Sequence, residues 1–191
     1  LSQTLMQLLY LVPPALLLWI NYGASSGDGT FIVIVPVLVM ACGQLAGGLA
    51  WLAISGEDAH DLVATAPLSP ATILRAKIEA VLTIIALIMA PLLLMIGLAA
   101  WPMALVTAAC AAAAAAASTT IQLWFRVTAK RSMFRRRQVA SRAATLCEAF
   151  SSILWAGTSA LWAAGLPLAI GPAILALLVL GIARLLAPRQ G

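Results

Sequence analysis

Charge is scarce in this sequence. Asp, Glu, Lys and Arg make up 9% of its 191 residues, against about 25% in an ordinary soluble domain. So little charge cannot cover a water-soluble globule of this length, and the apolar share of 63% has to face something other than water. Three cysteines, Cys42, Cys110 and Cys147, have no framework or C-x-x-C spacing, which excludes a disulfide scaffold and a thiolate metal site. They read as inert buried thiols. No G-x(4)-G-K-[ST] occurs, so the chain is not itself a nucleotide-binding subunit. The glycine-rich stretch 23–29 has no Lys and begins no such motif, so it reads as a loop.

Long apolar runs are what the chain has instead, and its mean hydropathy is +1.06. A helix needs about 20 residues to cross about 30 Å of hydrocarbon. Six stretches qualify: residues 5–21, with Pro13 and Pro14 expected to kink it, 31–54, 70–100, 102–125, 148–165 and 168–186. The runs are continuous rather than alternating, which argues against a barrel. The expected fold is all-α: one domain over residues 1–191 with six transmembrane helices.

The basic residues orient these spans. Arg75 and Lys77 follow the second, and Arg126, Lys130, Arg131, Arg135, Arg136, Arg137 and Arg142 lie between the fourth and fifth. Arg184 and Arg189 close the chain, and together these are all of its Lys and Arg. The opposite connections, 21–30, 101–102 and 166–167, carry only Asp28. Lys and Arg beside spanning helices resist translocation, so both ends are expected in the cytoplasm. The net charge of +5 is thereby accounted for, and no nucleic-acid partner is implied. The basic loop 126–147 fits positive-inside anchoring, anionic-lipid contact or contact with a partner protein.

Residues 55–69 form the most structured polar segment. Ser55 and Asp58 match a helix start, with Glu57, Asp58 and Asp61 near the positive end of the dipole. Leu62 and Val63 give the short helix an apolar edge, and Ala66-Pro67 stops it. Ser69 then reads as the cap of the next helix, with Pro70 in its first position. Interfacial helices favour Lys and Arg on the polar face, so this acidic elbow reads as a protein contact rather than a lipid one. His60, the only His, reads as an exposed residue of that helix. With Glu57, Asp58 and Asp61 it could alternatively hold Mg²⁺ in an intramembrane phospholipid transferase.

Glu57, Leu62, Pro67, Ser69, Ile73 and Lys77 follow the order E-x(4)-L-x(4)-P-x-S-x(3)-I-x(3)-K. This resembles the permease subunits of ABC-2 type ABC exporters, whose corresponding segment lies between the second and third of six helices. The resemblance implies a coupling helix docking on an ATPase, with Glu57, Asp58, Asp61, Leu62, Pro67, Ser69 and Lys77 at the contact. It implies no cofactor or metal in this chain, an ABC ATPase as partner, and a second permease half or a homodimer partner among the membrane lipids. The opening Ser2-Gln3 to Pro13 also looks like the first span of larger bacterial permeases, so the chain, which starts at Leu1, is expected to be a C-terminal half in the inner membrane. The pattern departs from the family at Ala76, where Gly is frequent, and residues 148–186 leave little room for the family's extracellular re-entrant hairpin.

Small and polar residues inside the spans complete the reading. Gly43 and Gly47 form a GxxxG step, extended by Gly48, and residues 108–117 present a second small face. Packing within the chain and a subunit interface both fit. Gln44 and Gln122 fit either an interhelical hydrogen bond or the lining of a transport path. Glu79 is expected to pair with Arg75, and Glu148 to sit at a helix start. A secondary transporter or a membrane scaffold is the remaining reading, the former expected to show intramembrane carboxylates.

Overall fold

A computed structural model describes residues 29–55, 70–125 and 134–187. Among them every regular element is helical. The long helices are α1 (Gly29–Ser55), α2 (Pro70–Ala99), α3 (Trp101–Trp124), α4 (Phe134–Ala163) and α5 (Ile170–Leu186). A three-residue 3-10 turn, Pro167–Ala169, leads into α5. Four stretches are long and apolar enough to cross a membrane: Phe31–Ala53, Thr72–Ala99, Trp101–Trp124 and Pro167–Leu186. The expected first span and most of the 55–69 elbow lie outside the described residues.

Local chemistry sets the boundaries. α2 begins on Pro70, whose fixed φ suits the first turn and whose missing N–H is not needed there. Between α2 and α3 a single residue, Ala100, is extended at φ −153° and ψ 91°, and Pro102 supplies the first turn of α3. The Ala100 carbonyl accepts from the N–H groups of Met103 and Ala104 at 3.1 and 3.2 Å. α4 ends at Gly165, whose φ of 71° only glycine adopts freely. There the Leu166 N–H donates to the Leu161 carbonyl and the Gly165 N–H to that of Trp162, both at 2.9 Å, which satisfies two terminal acceptors.

One expected boundary is corrected. The fifth helix starts at Phe134 rather than Glu148, so residues 134–147 of the expected basic loop are helical. Nothing between Arg135 and Cys147 breaks a helix; Ala, Arg, Gln and Leu there favour one. The sixth stretch, Pro167–Leu186, matches the expected one, its first turn being 3-10 and the rest α5.

The helices alternate in direction. Lys77 and Val81 of α2 meet Thr119 and Leu123 of α3 at one end, and Gly97 meets Ala104 at the other, an antiparallel hairpin. Cys42 donates its S–H to the Ala111 carbonyl at 3.6 Å, while Ala50 and Ala53 lie beside Thr119 and Leu123, so α1 and α3 run parallel. Gly43 faces Ser152 and Gly47 faces Glu148, so α4 runs against α1. At the centre α1, α3 and α4 pack together, with α2 against α1 and α3 and α5 against α4.

The core follows from side-chain size. Ile34, Leu38, Leu45 and Ile96 are fully buried large residues, and Ala111, Ala114 and Ala115 let α1 approach α3 closely. The outer helices turn large apolar side chains outward: Leu87, Leu94 and Leu98 on α2, and Leu177, Ile182 and Leu185 on α5. Such surfaces are excluded from water in a soluble protein and are ordinary against lipid. Pro36 and Pro91 lie inside α1 and α2, a placement membrane helices tolerate when neighbours satisfy the freed carbonyls.

Candidate functional site: a polar seam between three helices

The buried polar residues gather on the helices that form the centre. Ser118, Thr119 and Gln122 stand at i, i+1 and i+4 on α3, and Glu148, Ser151 and Ser152 at i, i+3 and i+4 on α4, so each set shares one helix face. Gly43 and Gly47 stand on the face of α1 that meets α4. Antiparallel packing brings these into two levels. At one, the Gln122 Nε2 donates to Glu148 Oε2 at 2.6 Å. Gly47 lies against the same carboxylate, and a Cβ there would fall inside it. One turn away, a Cβ on Gly43 would sit 2.9 Å from the Ser152 Cβ, 3.2 Å from the Ala114 Cβ and 3.6 Å from the Ser118 Oγ.

Glu148 is 7% exposed and stands in the interior of α4, so the dipole placement expected for it is corrected. A carboxyl so far from water requires partners, because an isolated buried charge is costly by tens of kcal/mol on a Born scale. Gln122, one of the two intramembrane amides expected to be polar glue or path lining, is its hydrogen-bond donor. Gln44 is half-buried on α1.

Most hydroxyls in the bundle bond to their own helix. Thr107 donates to the Met103 carbonyl at 2.6 Å, Thr158 to Leu154 at 2.9 Å and Ser159 to Ala156 at 2.7 Å. The Ser152 hydroxyl lies 3.0 Å from the carbonyls of Glu148 and Ala149. Ser118 Oγ, Thr119 Oγ1 and Ser151 Oγ are the exceptions, buried without a hydrogen-bond partner among the described residues. Orphaned buried hydroxyls are uncommon enough that each calls for an explanation. All three lie within a turn of the Gln122–Glu148 pair on the same two helices.

The seam lies toward one end of the bundle. Gln122 is two residues from the end of α3, or about 3 Å, and Gly47 eight from the end of α1, or about 12 Å. Beside it is a cavity of about 10 Å³ lined by Ala50, Ala53, Lys77, Val81, Thr119 and Leu123, room for about one water. Lys77, the last residue of the elbow pattern, is half-buried there. At the same end Arg184 of α5 lies over the Trp124 ring, 5.1 Å from its centroid. Arg75 Nε donates to Glu79 Oε1 at 2.7 Å, the pairing their spacing predicts, on an exposed face.

The remaining candidates are distributed as follows. Glu57, Asp58, His60, Asp61, Leu62, Pro67 and Ser69 lie outside the described residues. Gly48 is half-buried next to Gly47. Cys42 and Cys110 are buried and Cys147 half-buried, all three as free thiols. Sequence reasoning missed the seam, although its signal was present as two polar triplets, at i, i+1 and i+4 on α3 and at i, i+3 and i+4 on α4. No family model matches the chain, and neither a curated protein nor a solved structure does.

Proposed function

We propose that this chain is the transmembrane permease subunit of an ATP-driven transporter of the ABC-2 type, an exporter in a bacterial inner membrane with its termini in the cytoplasm. One observation carries the reading: the acidic, capped pattern from Glu57 to Lys77 joins α1 to α2 at the end where the basic residues collect. α1 ends and α2 begins at the same end of the bundle, where Ala53 and Lys77 line one cavity. Trp51 and Trp124 near this end, and Trp101 and Trp162 near the other, are placed as the aromatic girdles of a spanning bundle would be. In this reading the elbow docks on a separate ATPase, and a second bundle completes the pathway.

A secondary transporter is the second reading, and the Glu148–Gln122 pair favours it, since intramembrane carboxylates mark ion-coupled pathways. The two separate by experiment. In the permease, Glu57→Lys or Leu62→Asp leaves membrane insertion unchanged but lowers ATPase-subunit co-purification and substrate-stimulated hydrolysis. Normal values of both in both variants, with transport driven by an ion gradient alone, would overturn the permease.

A further inference from the structure

Two of the orphaned hydroxyls, those of Ser118 and Ser151, and the buried carboxyl of Glu148 have one explanation in common. We propose that the seam between α1, α3 and α4 binds one small monovalent cation, a sodium ion or a proton, on the Glu148 carboxylate. The Gln122 amide oxygen and the hydroxyls of Ser118 and Ser151 complete its surroundings. Every donor in the seam is oxygen, the ligand type that hard cations select. One carboxylate balances one positive charge, and the other groups are neutral, which suits a monovalent ion better than a divalent one. The cation also resolves the electrostatics, since it neutralises the buried carboxylate.

Among the described residues, the charged and titratable groups around Glu148 are few. α1 contributes Gly43, Gln44 and Gly47, and α3 contributes Gln122, none of them ionisable. On α4 itself the neighbour is Cys147. Lys77 of α2 lines the cavity beside Thr119, and Arg184 of α5 lies over Trp124. Gln122 already donates to one carboxylate oxygen, leaving its own carbonyl oxygen as an acceptor at the same level. Ser118 and Ser151 lie one turn from Gln122 and Glu148, and their hydroxyls are uncommitted to either helix.

The test uses the purified full chain in lipid nanodiscs, with thermal unfolding followed by tryptophan fluorescence. Chlorides of sodium, potassium and choline are compared at equal ionic strength, and infrared difference spectra are recorded between neutral and acidic pH. A ligand that binds only the folded state raises the midpoint with its concentration. If sodium is the cation, the midpoint rises with sodium more than with potassium or choline, and Glu148→Gln abolishes the rise. Ser151→Ala then shifts the sodium concentration required by roughly threefold to tenfold, the loss of one neutral oxygen contact. If the cation is a proton, sodium has no effect, and acidification produces a carboxyl carbonyl band that disappears in Glu148→Gln. A sodium effect unchanged in Glu148→Gln, a sodium effect whose Ser151→Ala titration is superimposable on wild type, or neither a sodium effect nor a Glu148-dependent band would overturn the site. No readout involves an ATPase, so failure here is separate from failure of the permease reading.

Discussion

Adding one methyl group at Gly43 or at Gly47 should destabilise the bundle by similar amounts for different reasons, and a second substitution tells them apart. At Gly43 the new carbon meets the Cβ atoms of Ser152 and Ala114 at 2.9 and 3.2 Å. Both are fixed to helical backbone, so α1 has to move away from α3 and α4, an overpacking cost of about 1–3 kcal/mol. At Gly47 the three atoms nearest the new carbon all belong to the Glu148 carboxylate, the far end of a flexible side chain. The side chain can rotate, but it must leave Gln122, and a hydrogen bond to a charged group contributes about 1.5–3 kcal/mol. Glu148→Ala empties the space at Gly47 and does nothing for Gly43. In a double-mutant cycle, Gly47→Ala should therefore cost about 1.5–3 kcal/mol less in the Glu148→Ala background, whereas Gly43→Ala should add to it within about 0.5 kcal/mol. Gly157→Ala is the control, since its Cβ would lie 3.9 Å from Pro172, an ordinary contact. The assay is reversible unfolding in bicelles, by denaturing-detergent titration or steric trapping. Additivity at Gly47, or a Gly47→Ala variant as stable as Gly157→Ala, would refute the placement of Glu148 against α1.

Two further outcomes follow from orientation and end chemistry. Cysteines introduced at Ser26 and Arg136 should label from opposite sides of intact cells, Ser26 from outside; labelling of both from one side would overturn the six-span topology. Arg184→Gln should lower stability by about 0.5–1 kcal/mol through loss of its contact with Trp124, and by much less in a Trp124→Leu background, as read in the same unfolding assay.

Where the chain carries hard punctuation, its structure was legible beforehand. Pro70 opens α2 and the Ala100-Trp101-Pro102 sequence separates α2 from α3, because proline acts locally whatever surrounds it. The start of α4 was not legible. A drop in hydropathy at residues 134–147 suggested a loop, yet helix propensity is indifferent to charge and the helix runs on. Glu148 was misread for the same reason, since a lone acid at the edge of an apolar run resembles a cap. What its sequence position could not reveal is the partner, because Gln122 is 26 residues away and on another helix. The GxxxG step suggests that some helix approaches α1 closely; only the fold shows that α4 does so at both glycines and α3 at Gly43.

The helix with the weakest hydropathic signal is one of the three at the centre, and the relation is causal. α5 presents most of its side chains outward and must be apolar to sit in lipid; among the stretches apolar enough to span it is the least buried. α4 is 30 residues long and is absent from those stretches. Its Glu148, Ser151, Ser152, Thr158 and Ser159 lower its apolar average, and all of them are buried within the bundle. Lipid selects against polarity only on the surface it touches, so a central helix is free to carry the polar groups an outer helix cannot. That freedom does not explain why the groups are there, since a well-packed apolar replacement for a buried polar pair is often as stable or more so. Ser152, Thr158 and Ser159 fold back onto their own helix and need no further reason. Glu148, Gln122 and the uncommitted hydroxyls of Ser118 and Ser151 do need one, and stability does not supply it. Their concentration within one turn of each other, toward the end where α1 stops and α2 starts, places the functional demand on the seam rather than on the outer helices.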